Sequence, residues 1–389
     1  MRIRAGAMVV AALLLAAAVG SAATAKRPEV SLASSRAGAV AGRPWTAVLH
    51  VRGSRPAALA VTATLGRRRV AATARRAAGD RYRARIVFPA PGRWTLTARL
   101  GGKRFPLGTI VVRAPAPMLL VYPTEAVLEP SGSLLVAESG RSRIVRIDLA
   151  TGRDTSVARI VQPYGIVLTS SGTLFATSES RVVRVGSGGG TTAIADARED
   201  VGPLAIDPAG NLYFSTVARI FRIDGGTGAV IPYAGTGTRG GGGDGGPALQ
   251  AEVDAPHGLA VGPDGALFVA DTGNDRVRRI DPATQVITAY AAATRPAGLA
   301  FDADGALYVA ERDGYRVSRV DRAGTKAVVA GTGVRGNSGD GGPATAARLD
   351  EPFDVVTTAN GTLLVLQSGA AGRLRLVDPS GKIQTVRRR

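Results

Sequence analysis

Six strings in the second part of the chain share one design: "PSGSLLVAES", "SSGTLFATSE", "PAGNLYFSTV", "PDGALFVADT", "ADGALYVAER" and "ANGTLLVLQS". Their turn glycines fall at Gly132, Gly172, Gly210, Gly265, Gly305 and Gly361, at spacings of 40, 38, 55, 40 and 56 residues. An apolar strand precedes each glycine ("GLAVGP", "GLAFDA"). An arginine-opened strand follows it ("RIVRID", "RVVRV", "RIFRID", "RVRRID", "RVSRVD", "RLRLVD"), and then a fourth ("VITAYA", "AVVAGT"). None of these strands is long enough to bury itself, so the units must stack and close on one another. Four short strands per unit of about forty residues is one blade of a β-propeller. Six units over residues 123–389 predict a six-bladed ring.

The earlier part of the chain is organised differently. Arg2 and Arg4, the apolar run Met8–Val19 and Ala23-Thr24-Ala25 spell a secretory signal peptide over residues 1–25. From 26 to 114, period-two strings such as "WTAVLHVRG", "LAVTATLG", "RYRARIVF" and "RWTLTARL" alternate with Gly- and Pro-rich turns. About seven short strands in that length predict a β-sandwich. The proline-rich "APAP" opens a linker at 115–122. The fold class is therefore all-β, with two domains.

Two resemblances accompany this reading. "PHGLAVGPDGALFVADTGNDRVRRID" and "PAGLAFDADGALYVAERDGYRVSRVD" resemble NHL repeats, and "GDGGPA" resembles the interblade segments of bacterial and teneurin-type NHL propellers. "PAPGRWTLTARL" resembles the late strands of small bacterial immunoglobulin-like accessory domains.

The two long spacings hold one nearly repeated sentence, "AGTGTRGGGGDGGPALQAEVDAP" (234–256) and "AGTGVRGNSGDGGPATAARLDEP" (330–352). Each contains GxGxxG. A dinucleotide site needs a helix after those glycines and an acid about 20 residues on, and neither copy supplies the helix. A calcium loop needs six to eight oxygens. Asp244 and Asp340 are the candidates, with few carboxylates beside them, so calcium is possible and no other cofactor is expected. The simplest reading is an elaborated interblade loop.

Residues entering the first strands should line the central mouth. The candidate ligand-binding residues there are Glu125, Tyr164, His257, Phe353 and Asp354. Asp271 and Glu311 close second strands on the same face, where they either serve a ligand or pair with Arg276 and Arg316. Similarity to propeller enzymes implies a metal-dependent lactonase, hydrolase or lyase as the alternative function. In gluconolactonase-like propellers the resemblance implies a cation held by one Glu, two Asn and one Asp. Glu125 and Asp354 would contribute, but no Asn stands at a mouth position. A streptogramin-lyase-like site implies His257 with Glu311. No zinc site of several histidines can be built, because the chain has only two histidines and no cysteine.

Charge completes the picture. Residues 26–115 carry 19 Lys and Arg against Glu29 and Asp80, whereas residues 116–389 carry 28 of each sign. A basic segment suits an anionic envelope polymer or surface. It lacks interleaved aromatic residues for base stacking, which argues against nucleic acid. The sequence thus predicts a secreted or cell-envelope-associated binding module. Its partner would be a cell-surface protein, a glycan or a small ligand, and it would not be an integral membrane protein once the signal segment is removed.

Overall fold

A computed structural model describes residues 28–387 apart from 35–37, 53, 55, 114–115 and 370–371. The expected signal peptide lies outside the described residues. Among the described residues no helix is long and apolar enough to cross a membrane. The chain divides into two compact units, the second beginning at Ala116.

The first unit contains β1 (Glu29–Leu32), β2 (Pro44–Arg52), β3 (Ala58–Leu65), β4 (Arg68–Ala78), β5 (Arg81–Val87), β6 (Gly92–Leu100) and β7 (Lys103–Val112). The seven strands anticipated from the alternation are present. They join one antiparallel sheet in the order β1-β2-β5-β4-β3-β6-β7 rather than the two facing sheets of a sandwich. A parallel bridge between Val40 and Arg113 ties the segment after β1 to the end of β7, so the sheet curls towards closure. The period of two sends Trp45, Leu49, Tyr82, Ile86, Trp94 and Leu96 inside. Phe88 lies between the two tryptophans, with ring centroids 5.9 and 5.4 Å away. The Trp94 indole donates to the Ala90 carbonyl at 3.0 Å, so its one polar atom is not stranded.

The second unit is a ring of six four-stranded blades, each built from consecutive strands. Blade one is β8 (Pro123–Leu128), β9 (Leu134–Glu138), β10 (Arg143–Asp148) and β11 (Arg153–Arg159); blade two is β12 (Pro163–Leu168), β13 (Leu174–Ser178), β14 (Arg181–Val185) and β15 (Thr191–Asp196). Blade three is β16 (Leu204–Ile206), β17 (Leu212–Ser215), β18 (Ile220–Ile223) and β19 (Val230–Ala234); blade four is β20 (Gly258–Val261), β21 (Leu267–Asp271), β22 (Arg276–Ile280) and β23 (Ile287–Ala292). Blade five is β24 (Pro296–Phe301), β25 (Leu307–Glu311), β26 (Arg316–Val320) and β27 (Lys326–Ala330); blade six is β28 (Pro352–Thr357), β29 (Leu363–Gln367), β30 (Arg373–Val377) and β31 (Ile383–Thr385).

Each first strand packs against the first strand of the next blade, and β28 packs on β8, which closes the ring. Residues 116–120, expected to be linker, staple that seam. The Met118 amide donates to Val386 O at 3.2 Å and the Leu120 amide to Gly372 O at 2.9 Å. Both side chains are buried among Leu134, Val136, Leu364, Leu366 and Leu374 of blades one and six. The blades are also stitched near the axis. Thr177 Oγ1 donates to Gly202 O (3.1 Å), Ser215 Oγ to Pro256 O (3.0 Å) and Thr272 Oγ1 to Pro296 O (2.6 Å), each from one blade to the next.

Five blades enter their first strand through a left-handed residue followed by proline: Tyr122, Gln162, Ala255, Arg295 and Glu351, with φ between 42° and 48°. Side chains rarely adopt that conformation, and proline disfavours compact conformers before it. These residues ring the face on which the first strands begin.

Candidate ligand site at the propeller mouth

The six residues that enter the first strands alternate in size around the ring. Blades one, three and five present Thr124, Gly202 and Ala297, and blades two, four and six present Tyr164, His257 and Phe353. The three rings meet pairwise at the axis, with centroids 5.9, 5.9 and 6.0 Å apart. The small residues of the intervening blades leave room for this. The next position is glycine in blades two, four and five, because the neighbouring blade comes too close for a side chain. A Cβ on Gly165 would stand 2.7 Å from the Leu204 nitrogen, and one on Gly258 would collide with the Ala297 carbonyl.

In blades one and six that position holds Glu125 and Asp354, and each reaches across a blade boundary. The Ala126 amide donates to Asp354 Oδ2 at 2.8 Å and the Ile166 amide to Glu125 Oε2 at 2.6 Å. Burial raises the Asp354 carboxyl to about 7, against the opposing pull of the Ala126 and Val355 amides. Burial, and then the charge of Asp354, push Glu125 well above the usual carboxylate range. The two titrate as a pair, which therefore keeps a proton near neutral pH.

The aromatic group is also uncharged. Burial, with Arg312 and Arg295 nearby, lowers His257 to about 4. Burial raises the Tyr164 phenol far above its ordinary value. Tyr164 Oη and His257 Nδ1 are both buried without a hydrogen-bond partner. Buried polar atoms are normally satisfied, and leaving one unsatisfied costs about 1–3 kcal/mol. These two atoms lie on touching rings at the mouth, where a hydroxyl-bearing ligand could pair with them. Beside Tyr164 opens a cleft of about 380 Å³ lined by Tyr122, Ser139, Gly140, Gln162, Glu179, Asp200 and Val201. Tyr122, 68% exposed, forms its aromatic wall.

The acids that end the second strands are buried and held by neighbouring donors. Glu138, Asp271 and Glu311 are fully buried. Glu311 accepts from Arg316 (2.9 Å), Ser318 (2.5 Å) and the Thr294 amide (2.9 Å), and pairs with Lys326 (2.8 Å). Burial works to raise Glu311, but these donors outweigh it and hold the carboxyl at about 2. Asp271 accepts from the Asp254 amide and Asn274 (2.9 and 2.8 Å) and from Arg276 at 3.4 Å. Here burial wins and the carboxyl is raised.

The glycine sentences have a role that the sequence reading missed. Each folds over the third strand of the following blade and wraps a fully buried guanidinium. Arg278 donates to Asp244 Oδ1 (2.9 Å), Glu252 O (2.6 Å) and Gly242 O (3.2 Å). Arg375 donates to Asp340 Oδ1 (3.0 Å), Ser338 O (3.2 Å) and Arg348 O (3.4 Å). Asp244 also receives Arg276 at 2.7 Å, and Asp340 receives Thr385 at 2.9 Å and Arg387 at 2.8 Å. The candidate calcium ligands thus serve as counter-ions to arginine. The signal was present in the third-strand strings. Their third letter is Val, Val, Phe, Arg, Ser and Arg, and arginine occurs only in the two blades preceded by a glycine sentence. The glycines permit the wrap: Gly243 and Gly339 have φ of 93° and 99°, and a Cβ on either would press within 2.6 Å of Ala251 or Ala347.

Comparison with known proteins decides the propeller's type. Residues 242–388 match the family described as the Teneurin NHL domain. Teneurin-1 of Homo sapiens and of Mus musculus are each 60% identical over 38 residues, 10% of this chain and 1% of theirs. The propeller is of the NHL type. Among solved structures, a protein of unknown function from Bacteroides thetaiotaomicron is similar to 89% of this chain over 97% of its own (TM-score 0.56, 16% identity). Streptogramin B lyase is similar over 70% and 85% of the two chains (0.51, 16%). A gluconolactonase from Xanthomonas campestris is similar over 74% and 91% (0.52, 14%). At these identities the likeness concerns the fold. The chain spans about one hundredth of the Teneurin-1 chains it matches. Among the described residues of the NHL propeller and the first unit, no three His, Asp or Glu side chains are grouped to hold a metal ion. A gluconolactonase-like donor set would also need two Asn beside Glu125 and Asp354, and the residues entering the first strands include no Asn.

Proposed function

We propose that the NHL propeller is the binding module of a secreted or envelope-associated protein, and that its mouth receives a neutral glycan. One observation carries this reading: Tyr164 Oη and His257 Nδ1 are buried and unpartnered on rings that touch at the axis. Sugar hydroxyls both donate and accept, so one ring can satisfy both atoms while its apolar face lies on the aromatic rings. The phenol and the imidazole are neutral at neutral pH, and the carboxyl pair keeps a proton rather than carrying two charges, which favours a polyol over an ion. The adjoining cleft of about 380 Å³ falls within the usual range for small-ligand sites. The first unit is proposed as a basic accessory domain. A cell-surface protein reaches the same mouth if it presents such a glycan.

The test is an array of neutral and acidic oligosaccharides probed with the full-length protein and with Tyr164→Phe and His257→Ala. Retention of a neutral glycan by the parent, and its loss in both variants, supports the reading. Failure to retain any glycan, or equal retention by the variants, overturns it. Metal-assisted hydrolysis or lyase chemistry is a weaker second reading, supported by the shared fold and by Asp354 near 7 as a proton donor or acceptor.

A further inference from the structure

We propose that the outer face of the N-terminal sheet binds a linear polymer of phosphate diesters on an aliphatic backbone. The inference is independent of the propeller mouth. Strand β5 turns Tyr82, Ala84 and Ile86 inward and leaves Arg81, Arg83 and Arg85 exposed in a row. Residues two apart along a strand repeat at about 7 Å. On the neighbouring strand Arg75 stands directly opposite Arg83. Beyond it lies β3, whose outward residues Ala58 and Ala60 are small and exposed. Arg99 of β6 stands opposite Ala60, and Arg104 of β7 opposite Arg99. The register thus sets arginines on both sides of an alanine-floored trough, with β5 and β6 about 14 Å apart at the usual strand spacing.

Three features assign the occupant. Among the described residues none of these six arginines has an acidic partner; the unit's one ion pair there joins His50 to Asp80. Like charges directly opposite one another destabilise a sheet, and both Arg75/Arg83 and Arg99/Arg104 are so placed. A bridging anion relieves that repulsion. The residues are arginine, whose planar fork grips phosphate in two places, which lysine does not do. Trp45, Tyr82, Phe88 and Trp94 all point into the core, so the face has no platform for stacking bases. A row of charges at constant repeat fits an extended chain of phosphates on a flexible spacer.

The experiment follows binding of an end-labelled, lipid-free poly(glycerol phosphate) chain to the full-length protein by fluorescence anisotropy. Arg81→Gln/Arg83→Gln/Arg85→Gln is expected to weaken binding at least tenfold and to flatten the salt dependence by about 2 log–log units, at about 0.7 per lost contact. An equal charge change on the propeller, Arg198→Gln/Arg322→Gln/Arg348→Gln, is expected to alter affinity less than twofold. Trp45 and Trp94 are the chain's only tryptophans, so an unchanged emission spectrum shows that the first unit is intact. Equal losses in the two triple variants, or no binding by the parent, overturn the proposal. Tighter binding per phosphate to phosphatidylglycerol vesicles, or to single-stranded oligonucleotide of equal charge, also overturns it.

Discussion

Asp340→Asn keeps the size of the side chain and removes its charge. It leaves Arg375, which has no exposed surface, without its counter-ion. Breaking a buried ion pair from one side costs about 3–5 kcal/mol. Two considerations lower that figure here. The carboxylate is 31% exposed, and the guanidinium keeps the Ser338 and Arg348 carbonyls. The expected loss is about 2–3 kcal/mol, or roughly 5 °C in Tm for a propeller of this size. The assay is thermal unfolding followed by calorimetry, because tryptophan emission reports only the first unit. Asp340→Leu combined with Arg375→Met removes both charges and should recover most of the loss. Millimolar calcium should leave the parent Tm unmoved, since the carboxylate oxygens are committed to Arg375, Thr385 and Arg387. A single variant within 1 °C of the parent, a double variant worse than the single, or a calcium-induced rise in Tm would refute the clamp.

Other outcomes follow from the same geometry. Tyr164→Phe deletes a buried hydroxyl with no partner, so it should leave stability unchanged or raise it by up to ~1 kcal/mol while abolishing glycan retention; a clear loss of stability in denaturant melts counts against an empty site. Asp354 is raised to about 7 when folded, from 3.8. Its contribution is fully present below its unfolded pKa and is lost as pH rises through 7, so Asp354→Asn should flatten the fall in Tm between pH 5 and 8; parallel profiles for variant and parent would contradict this. Gly258→Ala drives a Cβ into the Ala297 carbonyl between blades four and five and should cost at least ~2 kcal/mol, measured as a lowered denaturant midpoint; a tolerated alanine would mean that the first strands are not in contact.

The ring was legible because its signal is periodic. Turn glycines and arginine-opened strands repeat six times, and the strands they delimit are the strands observed. The mouth residues followed by counting back from each glycine, which brought Tyr164, His257 and Phe353 together although they are far apart in the chain. The first unit was read less fully. Alternation identifies seven strands, but whether they make one sheet or two depends on pairing, as in the register of β5 with both β2 and β4, and alternation is silent on partners. The closure of the seam was not legible for the same reason: Met118 and Leu120 of "MLLVY" pair with Val386 and Gly372, far along the chain, and nothing local marks that. The arginine clamp was visible only as a covariation within the chain, an extra arginine wherever the glycine sentence precedes the blade.

The central claim is that the uncharged ring group at the mouth receives a ligand through Tyr164 Oη and His257 Nδ1. The direct measurement is the nitrogen NMR spectrum of His257, resolved from His50 by substituting the latter, recorded against pH and then with the glycan retained on the array. The account predicts an imidazole that stays neutral down to about pH 4 and an Nδ1 resonance that moves when glycan is added. An imidazole titrating near 6.5, as in water, or an Nδ1 signal indifferent to saturating glycan, would contradict it.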